Sequence, residues 1–175
     1  MRVPTSYRGL IRRDKGQERT YSQSKKSNTV IGPGTVEQLL DKKGAYVFSV
    51  KPEQTMREVV DILREKRIGA VIVTDDAGAL IGILSERDIV RKLAETPGQT
   101  LPKKVEELMT TNVATCDPDE QLTSVLQRMT DGRFRHMPVQ RDGKLLGMVT
   151  IGDVVHYRLN ELEHEAVQLK QMIVG

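Results

Sequence analysis

At 175 residues and 19.7 kDa the chain is long enough for one substantial core, or for two small repeats that share one. A single cysteine excludes an intramolecular disulfide or a thiolate metal cluster, and aromatics at 3% with no tryptophan exclude a stacking platform for single-stranded nucleic acid. The net charge of +3 is local: residues 1–30 carry eight basic side chains against two acidic ones, and the rest of the chain is slightly acidic.

In chain order, residues 1–34 read as a basic N-terminal arm without helical or strand periodicity, solvent-exposed or wrapped on the core or a partner subunit. An anion or nucleic-acid contact by this arm is the weakest reading. Its opening holds no signal-peptide run, and nowhere does an apolar stretch approach the roughly 18 residues of a membrane span, so the expectation is a soluble, cytoplasmic protein. Thr35-Val36-Glu37-Gln38 is a capping box that starts a short helix ending near Lys43-Gly44. Tyr46–Val50 reads as a strand, and Pro52 as the opening of a helix over Gln54–Lys66. Ala70–Val73 and Leu80–Leu84 form a hairpin about the turn Asp75–Gly78, and Ser85 starts a helix to about Leu93. Thr96–Gln99 breaks the chain.

The pattern then restarts. Val105–Met109 is a short helix and Val113–Thr115 a strand. Asp117-Pro118-Asp119-Glu120 reads as a cap, a proline at the first helical position and a glutamate closing the box, ahead of an apolar helical face over Leu122–Met129. His136–Val139 and Lys144–Val149 flank the turn Arg141–Gly143, and Thr150 opens the last helix. Pro52 and Val73 find counterparts 66 residues on in Pro118 and Val139, whereas Gly82 and Asp88 find theirs 65 on in Gly147 and Asp153. One extra residue in the first hairpin turn explains the change. The chain is therefore a duplication: residues 35–99 and 100–158 are two repeats of an α/β (α+β) unit, each a small sheet flanked by helices and related by a pseudo-two-fold. Residues 159–175 form a helical tail, in which Leu159, Leu162, Ala166, Leu169 and Ile173 recur at steps of three and four. This coiled-coil-like stripe is read as packing on the molecule's own body or on a dimer mate.

The segments Gly82-Ile83-Leu84-Ser85-Glu86-Arg87-Asp88 and Gly147-Met148-Val149-Thr150-Ile151-Gly152-Asp153 carry the functional question. Each places a hydroxyl at a helix start and a carboxylate three residues later. Two readings of the residues stand. They cap helices, or they cap helices and also hold the ribose and phosphate of a nucleotide at the helix N-terminus.

With these two motifs, the hairpins before them and the two prolines, the chain resembles the CBS-domain family, named after cystathionine beta-synthase, whose paired repeats form a Bateman module. Gly132-Arg133-Phe134-Arg135-His136-Met137-Pro138 makes it similar to stand-alone bacterial members. The resemblance implies clefts between the repeats that bind adenosine ligands, and pairing of modules into a homodimer. It implies that Asp88 and Asp153 accept from ribose hydroxyls and that Ser85 and Thr150 donate to phosphate or ribose. Backbone around Gly69-Ala70 and His136-Met137 would read the adenine edge, Ser49, Val50, Thr115 and Cys116 line the cleft, and Pro138 is a further ligand-binding candidate. Arg133, Arg135 and Arg87 are the expected phosphate cations, with Gly69 standing where the second repeat has Arg135.

The expected ligands are AMP, ADP or ATP, with NAD or NADH as the second reading because arginine-rimmed clefts suit a pyrophosphate. No metal is expected, since His156 and His164 lie too far apart to share an ion. Cys116 reads as a small apolar wall residue. No paired carboxylates, metal cluster or activated nucleophile points to an enzyme. The functional expectation is a non-enzymatic regulatory sensor acting on a protein partner; the competing reading is a ligand-free structural or protein-interaction module.

Overall fold

In this computed structural model the described residues are 34–174, so the basic stretch 1–30 lies outside them. Helix α1 (Val36–Lys43) begins at the expected box: Gln38 N donates to Thr35 Oγ1 at 3.4 Å, and Thr35 N donates to Gln38 Oε1 at 3.1 Å. Strand β1 is confined to Ser49–Val50, which alone pair with the next strand; Tyr46, expected in the strand, is 75% exposed. Helix α2 (Met56–Lys66) starts later than the proline suggested, because Thr55 and Glu58 form the capping box. Strands β2 (Ala70–Thr74) and β3 (Leu80–Ser85) complete a sheet of order β1-β2-β3, the first pair parallel and the second antiparallel. Ser85 then caps α3 (Glu86–Glu95).

In the second half, Val105–Glu107 is a single 3-10 turn where a longer helix was expected. Val113–Thr115 is not a strand; only Cys116 bridges to Val139, in parallel, as a one-residue counterpart of β1. Helix α4 (Leu122–Gly132) begins behind Gln121 without a side-chain cap, two residues past the expected box. The expected box partners are engaged elsewhere: Arg128 holds the Glu120 carboxylate at 2.5 and 2.8 Å, and Arg141 reaches Asp117 at 2.9 Å. Strands β4 (His136–Arg141) and β5 (Lys144–Thr150) form an antiparallel hairpin, and α5 (Ile151–Val174) ends the chain. Its tight turn uses Asp142 and Gly143 at φ 51° and 73°, both left-handed. Between the paired residues Thr74 and Leu80 the first hairpin holds five residues, and between their counterparts Gln140 and Leu145 the second holds four, which is the inferred extra residue.

The repeats exchange their leading segments. Val36, Leu39 and Leu40 of α1 lie in one core with Cys116, Leu122, Val125, Met129, Met137, Val139 and Val149. Val105 lies in the other, with Val50, Met56, Val59, Leu63, Val71, Val73 and Leu84. The same exchange is written in the backbone. Val36 N donates to Glu120 O at 3.0 Å and Glu37 N to Pro118 O at 2.9 Å, while Val105 N donates to Gln54 O at 2.9 Å and Glu106 N to Pro52 O at 3.0 Å. Both prolines therefore sit in turns whose carbonyls receive the exchanged segment, which is their structural role in place of opening helices. The motif glycines serve the same contact: a Cβ at Gly82 would stand 2.6 Å from Met109 Sδ, and one at Gly147 would stand 2.9 Å from Leu40 Cδ2. A side chain at either position would require the Met109 or Leu40 side chain to move out of its contact with the sheet.

Candidate functional site

Both Ser/Thr-x-x-Asp segments are real caps. Asp88 N donates to Ser85 Oγ at 3.4 Å, and Asp88 Oδ2 accepts from Ser85 N at 3.1 Å and from Ser85 Oγ at 2.5 Å. In the second copy, Asp153 N donates to Thr150 Oγ1 at 3.1 Å, and Asp153 Oδ2 accepts from Thr150 N at 2.9 Å. Among the described residues, every hydrogen bond that Asp88 accepts falls on Oδ2, one of its two carboxylate oxygens.

The surroundings of the two copies differ. Ser85 and Asp88 open into a cleft of about 480 Å³ between the repeats, a volume in the range of small-ligand sites. From the first repeat it is lined by Gly69, Ile83, Glu86, Arg87 and Arg91; from the connecting segment by Thr110, Asn112, Val113 and Ala114; from the second repeat by Gly132, Arg133, Phe134, Arg135 and His136. Four guanidinium groups face two carboxylates there, so the cleft is set for an anion. Arg87 Nη1 donates across the cleft to Arg133 O at 2.8 Å. Arg133 ends α4 in the left-handed region at φ 55°, as Arg67 ends α2 at φ 53°.

His136 is part of the cleft wall. Burial holds its imidazole below the ordinary value, against the opposing pull of Glu86 and Asp153, so it is neutral at pH 7. Its ring also explains Gly69: a Cβ there would stand 3.1 Å from His136 Nε2. No side chain answering to Arg135 fits on the first repeat without displacing that ring.

The Asp153 copy is occupied by the protein itself. Lys43 Nζ donates to Asp153 Oδ2 at 2.6 Å. The 69-residue spacing that relates Val36 to Val105 in the exchange relates Lys43 to Asn112, so a cation stands here where the Asp88 cleft has an amide. Burial pushes the Asp153 carboxyl up, but the Lys43 ammonium and hydrogen bonding to Thr150 outweigh it and hold the group below its usual range. A depressed folded value means that this contribution to stability is full above the unfolded aspartate value, about 3.9, and is lost as pH falls through the folded one. Lys43→Ala is expected to cost about 0.5–1 kcal/mol at neutral pH and to move acid unfolding to higher pH. An NMR titration in which the Asp153 carboxyl does not rise in the variant would contradict this.

The cleft thus gathers Gly69, Ser85, Arg87, Asp88, Arg133, Arg135 and His136. It does not include Ser49, Val50, Ala70, Thr115, Cys116, Met137, Pro138, Thr150 or Asp153 among its lining residues. Val50, Ala70, Cys116 and Met137 are core residues, 4% exposed or less, and Pro138 is buried. Ser49 is an exposed strand residue paired with Ile72, and Thr115 O accepts from Arg128 Nη2 at 2.8 Å. Burial pushes the Cys116 thiol up to about 12. The folded protein is therefore expected to resist thiol reagents at pH 8 and to react on unfolding; rapid labelling of folded protein would refute the buried-wall assignment.

Sequence reasoning missed Glu86, Arg91, Phe134 and the connecting residues Thr110, Asn112, Val113 and Ala114. Arg91 was within reach, because it lies one helical turn after Arg87 and so shares its face. The connecting residues carried no signal, since Val113 and Ala114 were read as a strand.

Among the described residues no group of three His, Cys, Asp or Glu side chains is placed to hold a metal ion, and no helix is long and apolar enough to cross a membrane. A sequence model of the CBS domain matches residues 43–95 and 105–160. The chain is 34% identical over 127 residues to the mitochondrial CBS domain-containing protein CBSX3 of Arabidopsis thaliana, across 70% of this chain and 62% of that protein, and so spans less than two thirds of that relative. The crystal structure of the CBS-domain containing protein ATU1752 from Agrobacterium tumefaciens matches with a TM-score of 0.70 at 41% identity, over 71% of this chain and 99% of the other. The CBS domain pair of protein MJ0100, solved with 5′-methylthioadenosine and S-adenosyl-L-methionine, matches with a TM-score of 0.65 at 27% identity, over 74% of this chain and 99% of the other.

Proposed function

The chain belongs to the CBS-domain family, whose modules are regulatory, and we propose that it is a non-enzymatic sensor whose inter-repeat cleft binds an adenine nucleotide, AMP, ADP or ATP. The observation that carries this reading is the cleft's charge pattern: a capping carboxylate, Asp88, beside four arginines drawn from both repeats. A ribose presents a vicinal diol that a two-oxygen carboxylate accepts from, while Arg133, Arg135, Arg87 and Arg91 answer the phosphate. Ile83, Val113 and Phe134 supply apolar wall for a purine. The relative MJ0100, solved with two adenosine compounds, supports the adenosine class.

Binding bridges the repeats, because the cations come from both. Ligand then shifts the population of relative repeat orientations, and a protein partner reads the difference. The Asp153 copy, closed by Lys43, stays empty in this scheme. NAD or NADH is the second reading, favoured by the four guanidinium groups, which suit a pyrophosphate bridge.

Calorimetric titration of ligand-free protein with AMP, ADP, ATP, NAD and NADH separates the readings. One nucleotide bound per chain, weakened by Arg135→Ala in proportion to its phosphate charge, is the expected result. Flat titrations with all five would reduce both motifs to helix caps and favour a structural or protein-interaction module.

A further inference from the structure

Helix α5 runs 24 residues, about 36 Å at 1.5 Å per residue, and its two faces have different fates. Val154 and Tyr157 are 2% and 7% exposed and sit in the second repeat's core. The same side of the helix continues through Tyr157, Glu161 and His164 along a groove shared with Gln38 and Lys42 of α1. The opposite side carries Val155, Leu159, Leu162, Ala166, Leu169 and Ile173, all exposed, with Leu159 and Leu169 more than half so. The expected packing of this stripe on the molecule's own body is not seen among the described residues.

The spacing alternates four and three over nearly three heptads, with Val155, Leu162 and Leu169 at d and Leu159, Ala166 and Ile173 at a. The flanking charges choose the partner and its direction. Arg158 and Glu165 fall at g, Glu163 and Lys170 at e. In a parallel, in-register pair each g residue meets the partner's e residue five positions on, so Arg158 faces the partner's Glu163 and Glu165 faces the partner's Lys170. Both pairs are of opposite sign. An antiparallel pair of full overlap, with Val155 opposite the partner's Ile173, instead sets Glu163 against the partner's Glu163 and Glu165 against the partner's Glu165. Like charges at its centre oppose it. Within one chain Arg158 already reaches Glu161 at 3.1 Å and Glu165 at 3.8 Å, which holds its guanidinium on this edge of the helix.

We propose that α5 pairs with α5 of a second copy of this chain as a parallel, in-register coiled coil along the Val155–Ile173 stripe. The exposed stripe leaves one whole face of α5 without apolar burial, and most helical stability in proteins comes from packing an amphipathic face, which the second copy would supply. The proposal does not depend on the nucleotide reading.

The test uses the full chain with Leu169→Cys, at d, and Val167→Cys, on the flank, under mild oxidation. Two d positions face each other across a parallel seam, so Leu169→Cys is expected to give a disulfide-linked dimer while Val167→Cys gives only background. Adding Glu165→Lys is expected to lower the Leu169→Cys yield, and adding Lys170→Glu to that variant to restore it, since these residues are five apart and pair only between chains. Equal yields at the two cysteine positions would overturn the proposal. So would a Leu169→Cys dimer that forms only after residues 1–33 are removed, which would assign the stripe to the chain's own N-terminal segment.

Discussion

Asp88→Asn is expected to weaken adenine-nucleotide binding by about 10- to 100-fold, the loss of one charged hydrogen-bond acceptor for a ribose hydroxyl. The amide keeps an acceptor oxygen for Ser85 N, so the cap survives and the effect reads on ligand rather than on folding. Asp153→Asn is the informative comparison. Its carboxylate is engaged by Lys43 at 2.6 Å and does not line the cleft, so affinity should stay nearly unchanged while acid stability shifts. Calorimetry on both variants decides: equal losses would mean that both motifs hold ligand, and no loss in Asp88→Asn would leave the first motif a helix cap.

The exchange of leading segments carries the second large effect. Leu39→Ala removes a side chain that is 4% exposed in the core of the second repeat, and is expected to cost about 2–5 kcal/mol. The damage should appear far from the substitution in sequence. Amide exchange should accelerate first in β4, β5 and α4, which share that core, and least in β2 and β3, which pack on the other. Faster exchange confined to the first hairpin would contradict the exchanged arrangement.

Local chemistry explains why parts of the structure were legible in the sequence. The caps at Thr35, Ser85 and Thr150 are short-range hydrogen-bond patterns, and the hairpins are bounded by turn residues, so both follow from neighbouring residues. The duplication was visible because Gly82 and Gly147, and Asp88 and Asp153, recur at one spacing. What failed was competition between local signals and tertiary contacts. Pro52 and Pro118 look like first-turn helix residues, yet their carbonyls accept from Glu106 and Glu37 of exchanged segments, and the helices begin at Met56 and Leu122. Glu120 looks like a box partner until Arg128 claims it.

The candidate site divides along the same line. Residues at helix starts, such as Ser85, Asp88 and Arg87, reach the cleft because the cap fixes their direction. Strand residues such as Val50 and Met137, and Cys116 at its isolated bridge, face the cores instead, since a strand whose sheet is covered turns its large apolar side chains inward. The asymmetry between the motif copies comes from Lys43 and Asn112, whose equivalence appears only once the leading segments are seen to cross over.

The most direct measurement is a crystal structure of the protein grown with saturating AMP. The predicted result is one nucleotide per chain, its ribose hydroxyls about 2.6–3.0 Å from the Asp88 carboxylate and its phosphate among Arg133, Arg135 and Arg91, with the Lys43–Asp153 pair intact. An empty cleft at saturation, or a nucleotide seated on Asp153 with Lys43 displaced, would contradict it.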